Sequence, residues 1–228
     1  MKEYEYVLPD MIESRSFEII EEELTSRGIK LKTMASDTEC IIKSGPVYKR
    51  VIHTTADFDY VDNLVFSEDA LPRAYELLSS GCVIVTDTNM ALAGINKTAI
   101  NKLGIELFCY MSDGSVIAEA KDRGMTRAAV SMDRAAKLNK PVIYVIGNAP
   151  TALISICEAY EDYRHSGGKT DYHLPGLIIG VPVGFVNVVT AKELIMDCGL
   201  PYIVSRGRKG GSNVAAAIVN ALVYQLTR

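Results

Sequence analysis

The chain is 228 residues long, with 48% hydrophobic residues and a formal net charge of -4; that is enough apolar material for one continuous core, and too acidic for a nucleic-acid binder relying on a broad basic surface. Anionic ligands therefore have to be caught by local clusters of cations. Five cysteines are scattered without a CxxC pair, the N-terminal MKEYEYVLPDM has no hydrophobic signal core, and no run reaches the ~20 apolar residues of a membrane span, so a reduced, soluble, cytoplasmic protein is expected.

Residues 9–28 read as a first helix, with Asp10 as N-cap, Ile12, Phe17, Ile20 and Leu24 as its apolar stripe and Gly28 as its stop. Arg15 and Ser16 sit just before Phe17, positioned to point into a site. A second helical segment, from residue 36 to about 52, runs into the stretch 50–59, RVIHTTADFD. There His53 follows Val51 and Ile52 and precedes Thr54, Thr55, Asp57 and Asp59. An imidazole at the end of an apolar segment, beside hydroxyls and carboxylates, suits a general acid or base. It equally suits a helix C-terminal residue capped by its neighbours. Residues 63–66 form a short strand candidate, and a helix over 67–80 carries Pro72 in its first turns.

Beyond residue 80 the pattern changes. Five apolar runs, CVIVTD (82–87), IELFCY (105–110), PVIYVIG (141–147), GLIIGV (176–181) and PYIVSRG (201–207), alternate with helical periods over 116–123, 126–138, 151–164, 191–198 and 212–226. Short β-branched runs that are apolar on both faces suit a parallel sheet covered by helices. The expectation is an α/β fold: a single domain over 1–228, with a doubly wound, mostly parallel sheet of about five strands and helices on both faces. The helical segment of about 9–60 packs on this core. Ligands bind such sheets beyond the carboxyl ends of the strands, and there the unusual residues collect: Thr86 to Met90, then 147–150, 182–185 and 206–212. Segments 112–115 and 166–173 read as turn-rich linkers, with His165 and His173 on the polar surface.

The stretch 205–212, SRGRKGGS, ends a strand and opens the last helix. Its glycines allow close backbone approach, its N–H groups and the helix start attract anions, and Arg206, Arg208 and Lys209 add charge, so it reads as an oxyanion cradle. The plainer alternative is a solvated basic turn before a capped helix. The stretch lacks the GxxxxGK[ST] spacing of a nucleotide-triphosphate loop. Residues 146–153, IGNAPTAL, make a helix start with Pro150 near its first position. Residues 180–185, GVPVGF, carry only part of a dinucleotide glycine pattern, without GxGxxG at the first strand, which argues against nicotinamide or flavin. His53, His165 and His173 show no HxH or HExxH spacing, so no metal site is expected; nor is there a GxSxG elbow.

Seven stretches, SFEII (16–20), RVIH (50–53), TDTNMALAGI (86–95), GMTRAAVSM (124–132), IGNAPTAL (146–153), VPVGFV (181–186) and RGRKGGS (206–212), closely resemble in order and spacing the precorrin-8X methylmutases, also called precorrin isomerases or cobalt-precorrin-8 methylmutases. The resemblance runs from about residue 4 to the C-terminus. It implies a cofactor-independent isomerase of cobalamin biosynthesis that moves a methyl group from C11 to C12 of a corrin ring, giving hydrogenobyrinate, or cobyrinate when cobalt is already present in the substrate. It also implies a homodimer whose active sites draw on both chains. His53 falls at the family's catalytic histidine. Arg15, Ser16, Asp87, Arg127 and the 206–212 loop fall in its motifs.

The residues' own chemistry agrees. A macrocycle with several carboxylates calls for cations spread around a wide apolar cleft, and Arg15, Arg127, Arg206, Arg208 and Lys209 supply them. The expected substrate-binding set adds Ser16, Thr54, Asp87, Met90, Gly147, Asn148, Gly184, Phe185, Gly207, Gly210, Gly211 and Ser212, with Val51, Met90 and Phe185 lining the ring face. Two readings of other classes are a non-catalytic tetrapyrrole carrier and an S-adenosylmethionine methyltransferase; the latter needs a glycine-rich first-strand loop that this sequence lacks.

Overall fold

The computed structural model describes residues 5–34, 38, 40–169 and 175–228. Positions 36 and 173 lie outside the described residues. The elements run α1 (Ile12–Ser26), α2 (Ser44–Thr55), α3 (Tyr60–Asn63), β1 (Leu64–Phe66), α4 (Ala70–Ser80), β2 (Val83–Thr86), α5 (Asn89–Gly94), α6 (Lys97–Lys102), β3 (Glu106–Phe108), α7 (Gly114–Asp122), α8 (Arg127–Ala136), β4 (Val142–Ile146), α9 (Pro150–His165), β5 (Leu177–Gly180), α10 (Val188–Asp197), β6 (Tyr202–Ser205) and α11 (Ser212–Thr227).

The six strands form one sheet in the order β1-β6-β5-β4-β2-β3. All pairs are parallel except β1 with β6. The expected five parallel strands are present, and the 63–66 candidate joins them as an antiparallel edge. Side chains alternate across the sheet with the strand period of two. Ile84, Ile143, Val145, Ile179 and Ile203 meet α11 together with the buried faces of α2, α4, α5 and α6. Val83, Val85, Val142, Tyr144, Ile146, Ile178 and Val204 meet α8, α9 and α10 on the opposite side. Both faces are therefore covered, which is why the central runs carry apolar residues without alternation. Outside this core, α1 docks on α2 and α3 through Ile20, Leu24, Ile52 and Val61.

Several boundaries differ from the sequence reading. α1 starts after a turn at residues 9–11, with Met11 and not Asp10 at the N-cap. α2 begins at Ser44, because Lys43 is extended and Pro46, in the first turn, suits only a helix start. The short helices α3, α5 and α6 were not expected. The last two are capped by Thr88, which accepts from the Ala91 N–H, and Asn96, which accepts from the Ala99 N–H; cap residues of this kind look like loop in a sequence. Among the described residues no helix is long and apolar enough to cross a membrane.

After β2 the chain leaves to β3 on one side and returns to β4 on the other, so the winding reverses between β2 and β4. In open α/β sheets the crevice at the carboxyl ends of two such strands is the natural ligand position.

Candidate functional site

The β2/β4 crevice is filled by the protein itself. Asp87, the residue after β2, is fully buried. Its Oδ1 accepts the Gly147 N–H at 2.8 Å, and its Oδ2 accepts those of Asn148 at 2.8 Å and Ala149 at 2.7 Å. Burial holds the carboxyl above its ordinary range, and the three N–H donors offset only part of that. The structure places Asp87, expected as a substrate contact, beneath the 147–149 loop, with both oxygens accepting backbone N–H groups. Gly147 is required because a Cβ there would lie 2.6 Å from the Cα of Ser212. The Ser212 hydroxyl pairs with that of Thr88 at 2.7 Å, so the ends of β2 and β4 and the start of α11 form one unit.

The basic loop 206–211 sits beside this unit. Lys192 of α10, fully buried, donates to the carbonyls of Gly207 at 2.9 Å and Lys209 at 2.8 Å. The Ser205 hydroxyl also donates to Lys209 O, at 2.6 Å, and the Gly184 N–H to Arg208 O at 3.3 Å. Burial pushes Lys192 down to about 8. Gly210 has φ +156°, and a Cβ there would overlap the Val181 carbonyl. Lys209 reaches the other way, 2.6 Å from a carboxylate oxygen of Asp57 and 2.6 Å from one of Asp59. That pairing joins the loop to the segment after α2.

His53 is exposed in the last turn of α2, which ends on a left-handed Ala56 at φ 52°. Its Nδ1 lies 2.7 Å from the Ser16 hydroxyl on α1, and its ring lies 5.4 Å from that of Phe17, tilted by 58°. Thr54 and Thr55 do not orient it: their hydroxyls donate back to the carbonyls of Arg50 and Val51 within the helix. Val51 is fully buried and forms no ring-facing surface. His53, Arg15 and Ser16 line a cleft of ≈ 540 Å³ with apolar walls from Ile12, Ile19, Ile52 and Phe58.

Arg15 is not a free cation. Glu5, Glu18 and Glu22 surround its guanidinium. Lys209 is likewise occupied by two aspartates. Among the described residues, Arg127, Arg206 and Arg208 have no carboxylate partner. Arg127 donates to Met111 O at 3.3 Å, and Arg208 lies 5.5 Å over the Phe185 ring. Arg127 reaches the same rim because the hydroxyl of its N-cap, Thr126, pairs with that of Thr151 at the start of α9, 2.9 Å away. Asn148, Met90 and Phe185 are exposed on this rim. The structure thus brings the expected residues into two neighbouring groups, the His53 cleft and the rim, linked by Lys209. It adds Phe17 and Lys192. Beside Glu193 in an ordinary helical stretch, Lys192 carries no sequence signal of burial.

Residues 11–225 match the family described as precorrin-8X methylmutase. The chain is 43% identical over 219 residues to the cobalt-precorrin-8 methylmutase of Salmonella typhimurium, covering 96% of each chain. It is 37% identical to the precorrin-8X methylmutase of Pseudomonas aeruginosa over 178 residues, 77% of this chain and 81% of that one. Among solved structures, the precorrin-8x methyl mutase from Thermus thermophilus superposes with a TM-score of 0.77 at 31% identity, over 94% of this chain and 96% of the other.

Proposed function

Because the chain belongs to the precorrin-8X methylmutase family, isomerases of cobalamin biosynthesis, we propose that it moves the methyl group on C11 of its corrinoid substrate to C12, with His53 as the general acid. The observation that carries this reading is the pairing of Ser16 with His53 Nδ1 at 2.7 Å on the wall of an apolar-sided cleft. As an imidazolium, His53 donates its Nδ1–H to the Ser16 hydroxyl and keeps a second proton on Nε2 for the ligand. That N–H polarises or protonates a ring nitrogen near C11. The C11–methyl bond then breaks as the C12–methyl bond forms, and the proton returns to His53.

The shift is intramolecular and changes neither composition nor oxidation state. It calls for no external cofactor, and cobalt, where present, is part of the substrate. The 43% identity to a cobalt-precorrin-8 methylmutase favours the cobalt form. The substrate's carboxylates meet Arg127, Arg206 and Arg208 at the rim, and its ring face meets Met90 and Phe185. We further propose that two copies assemble, each completing the other's site.

The test is the visible spectrum of the purified protein with precorrin-8X, with and without cobalt, beside His53→Ala. Methyl migration rearranges the conjugation at C11 and C12. Wild type is expected to convert the substrate, with His53→Ala binding it but turning over roughly 10²- to 10⁴-fold more slowly. Full turnover by the variant would remove His53 from the mechanism; binding by wild type without conversion would make the protein a carrier.

A further inference from the structure

The loop 206–211 has an asymmetry that follows from where its carbonyls go. Three in succession point to internal donors: Gly207 O and Lys209 O to the Lys192 ammonium, and Arg208 O to the Gly184 N–H. In a planar trans peptide the N–H of the next residue points opposite to the carbonyl. The N–H groups of Arg208, Lys209 and Gly210 are therefore turned away from those donors, and among the described residues they meet no acceptor. Successive outward N–H groups of this kind make an anion-binding concavity, flanked here by Arg206 and Arg208.

Lys192 itself is electrostatically incomplete. It is a fully buried ammonium whose described partners are two carbonyl oxygens, and among the described residues no carboxylate lies within ion-pair distance of it. Buried charges are ordinarily paired. The missing counter-charge has a place across the loop, on the side of the N–H groups that meet no acceptor.

We infer that Lys192 is a positioning residue for substrate binding: it holds the Gly207 and Lys209 carbonyls inward so that the opposite face of the loop receives a carboxylate of the substrate, whose charge completes its own. Lys192 does not touch the substrate. It acts through the loop, which its glycines at positive φ (Gly207, Gly210 and Gly211) leave without a conformational preference of its own. The inference rests on the proposed reading that the substrate is a corrinoid carrying carboxylates.

The experiment compares Lys192→Met, which keeps length but removes charge and donors, with Lys192→Arg, which keeps both. Steady-state conversion of the corrinoid is followed in the visible spectrum and thermal melting by circular dichroism. Lys192→Met is expected to raise KM roughly 10- to 100-fold, the worth of a charge-assisted contact, with kcat within about threefold of wild type. Lys192→Arg is expected to recover most of that loss. Should Lys192→Met fail to fold, Lys192→Gln, a neutral residue that still donates, takes its place with the same expected KM increase. An unchanged KM in a folded neutral variant would overturn the inference, as would a loss in kcat alone. Failure of wild type to convert any corrinoid would overturn the functional reading itself, a separate outcome.

Discussion

Several charges that the sequence displays as site groups are spent inside the fold, and each makes its own prediction. Asp87 is the clearest case, because its carboxylate serves three backbone donors at once. Asp87→Asn keeps the shape but turns an NH₂ group toward at least one of those N–H groups. Leaving buried donors unsatisfied costs about 1–3 kcal/mol each, so the urea midpoint is expected to fall accordingly, and an unchanged midpoint would mean that the loop does not depend on the carboxylate. Asp57 makes a prediction in pH. Burial raises its carboxyl, but the Lys209 ammonium and the Asp59 N–H outweigh burial, leaving it below its ordinary 3.8. A carboxyl lowered in the folded state contributes stability that is fully present above the unfolded value and lost as pH falls through the folded one. The stability gap between wild type and Asp57→Asn should therefore be constant from about pH 7 to 5 and narrow below about pH 4. At this partly exposed pair it should amount to about 1 kcal/mol or less. A gap that widens in acid would contradict the assignment.

At the scale of elements, the junction of β6, the 206–211 loop and α11 is where backbone geometry is most demanding. Gly210→Ala sets a Cβ against the Val181 carbonyl at a φ that L residues rarely adopt, and is expected to cost about 3 kcal/mol or more. Gly114→Ala, in the first turn of α7 with open space around its Cβ, should instead stabilise by up to about 1 kcal/mol. Melting both variants separates a glycine that the fold requires from one that it merely tolerates. The same junction shows what a sequence makes legible. The strand runs were readable because β-branched residues buried on two faces leave an unbroken apolar signature, as in β4. The long helices α9 and α11 were readable by period and by their start signals. α5 and α6 were not, since at six residues each they are too short to show a period. The basic loop showed itself by composition. Its support did not: the lysine beneath it, the Asp87 plug, and the Ser16 contact to His53 across 37 residues are all pairings that only the folded chain creates.

At the scale of the whole molecule, the surface around the two site groups is more apolar than a free rim requires. Phe185 is 82% exposed, Val186 79% and Met90 70%, and Ile12 beside the His53 cleft is 56% exposed. Clustered exposure of this kind marks an interaction surface. The cleft's ≈ 540 Å³ suits a drug-sized ligand, and is open where a macrocycle with several carboxylate arms would need a second wall. The proposed second copy of the chain would meet both demands, covering the apolar rim and closing the site around the bound ring. Sedimentation at micromolar concentration is then expected to give twice the chain mass of 24.9 kDa. Phe185→Asp places a charge on this exposed apolar surface, and should move the population to monomer and reduce corrinoid conversion in parallel, while melting stays that of a folded domain. The two effects must track each other across protein concentration, because a site completed by a partner regains activity as the dimer reforms. A wild-type monomer with full activity, or a Phe185→Asp dimer, would show that one chain closes its own site, and the apolar rim would then serve only to seat the ring.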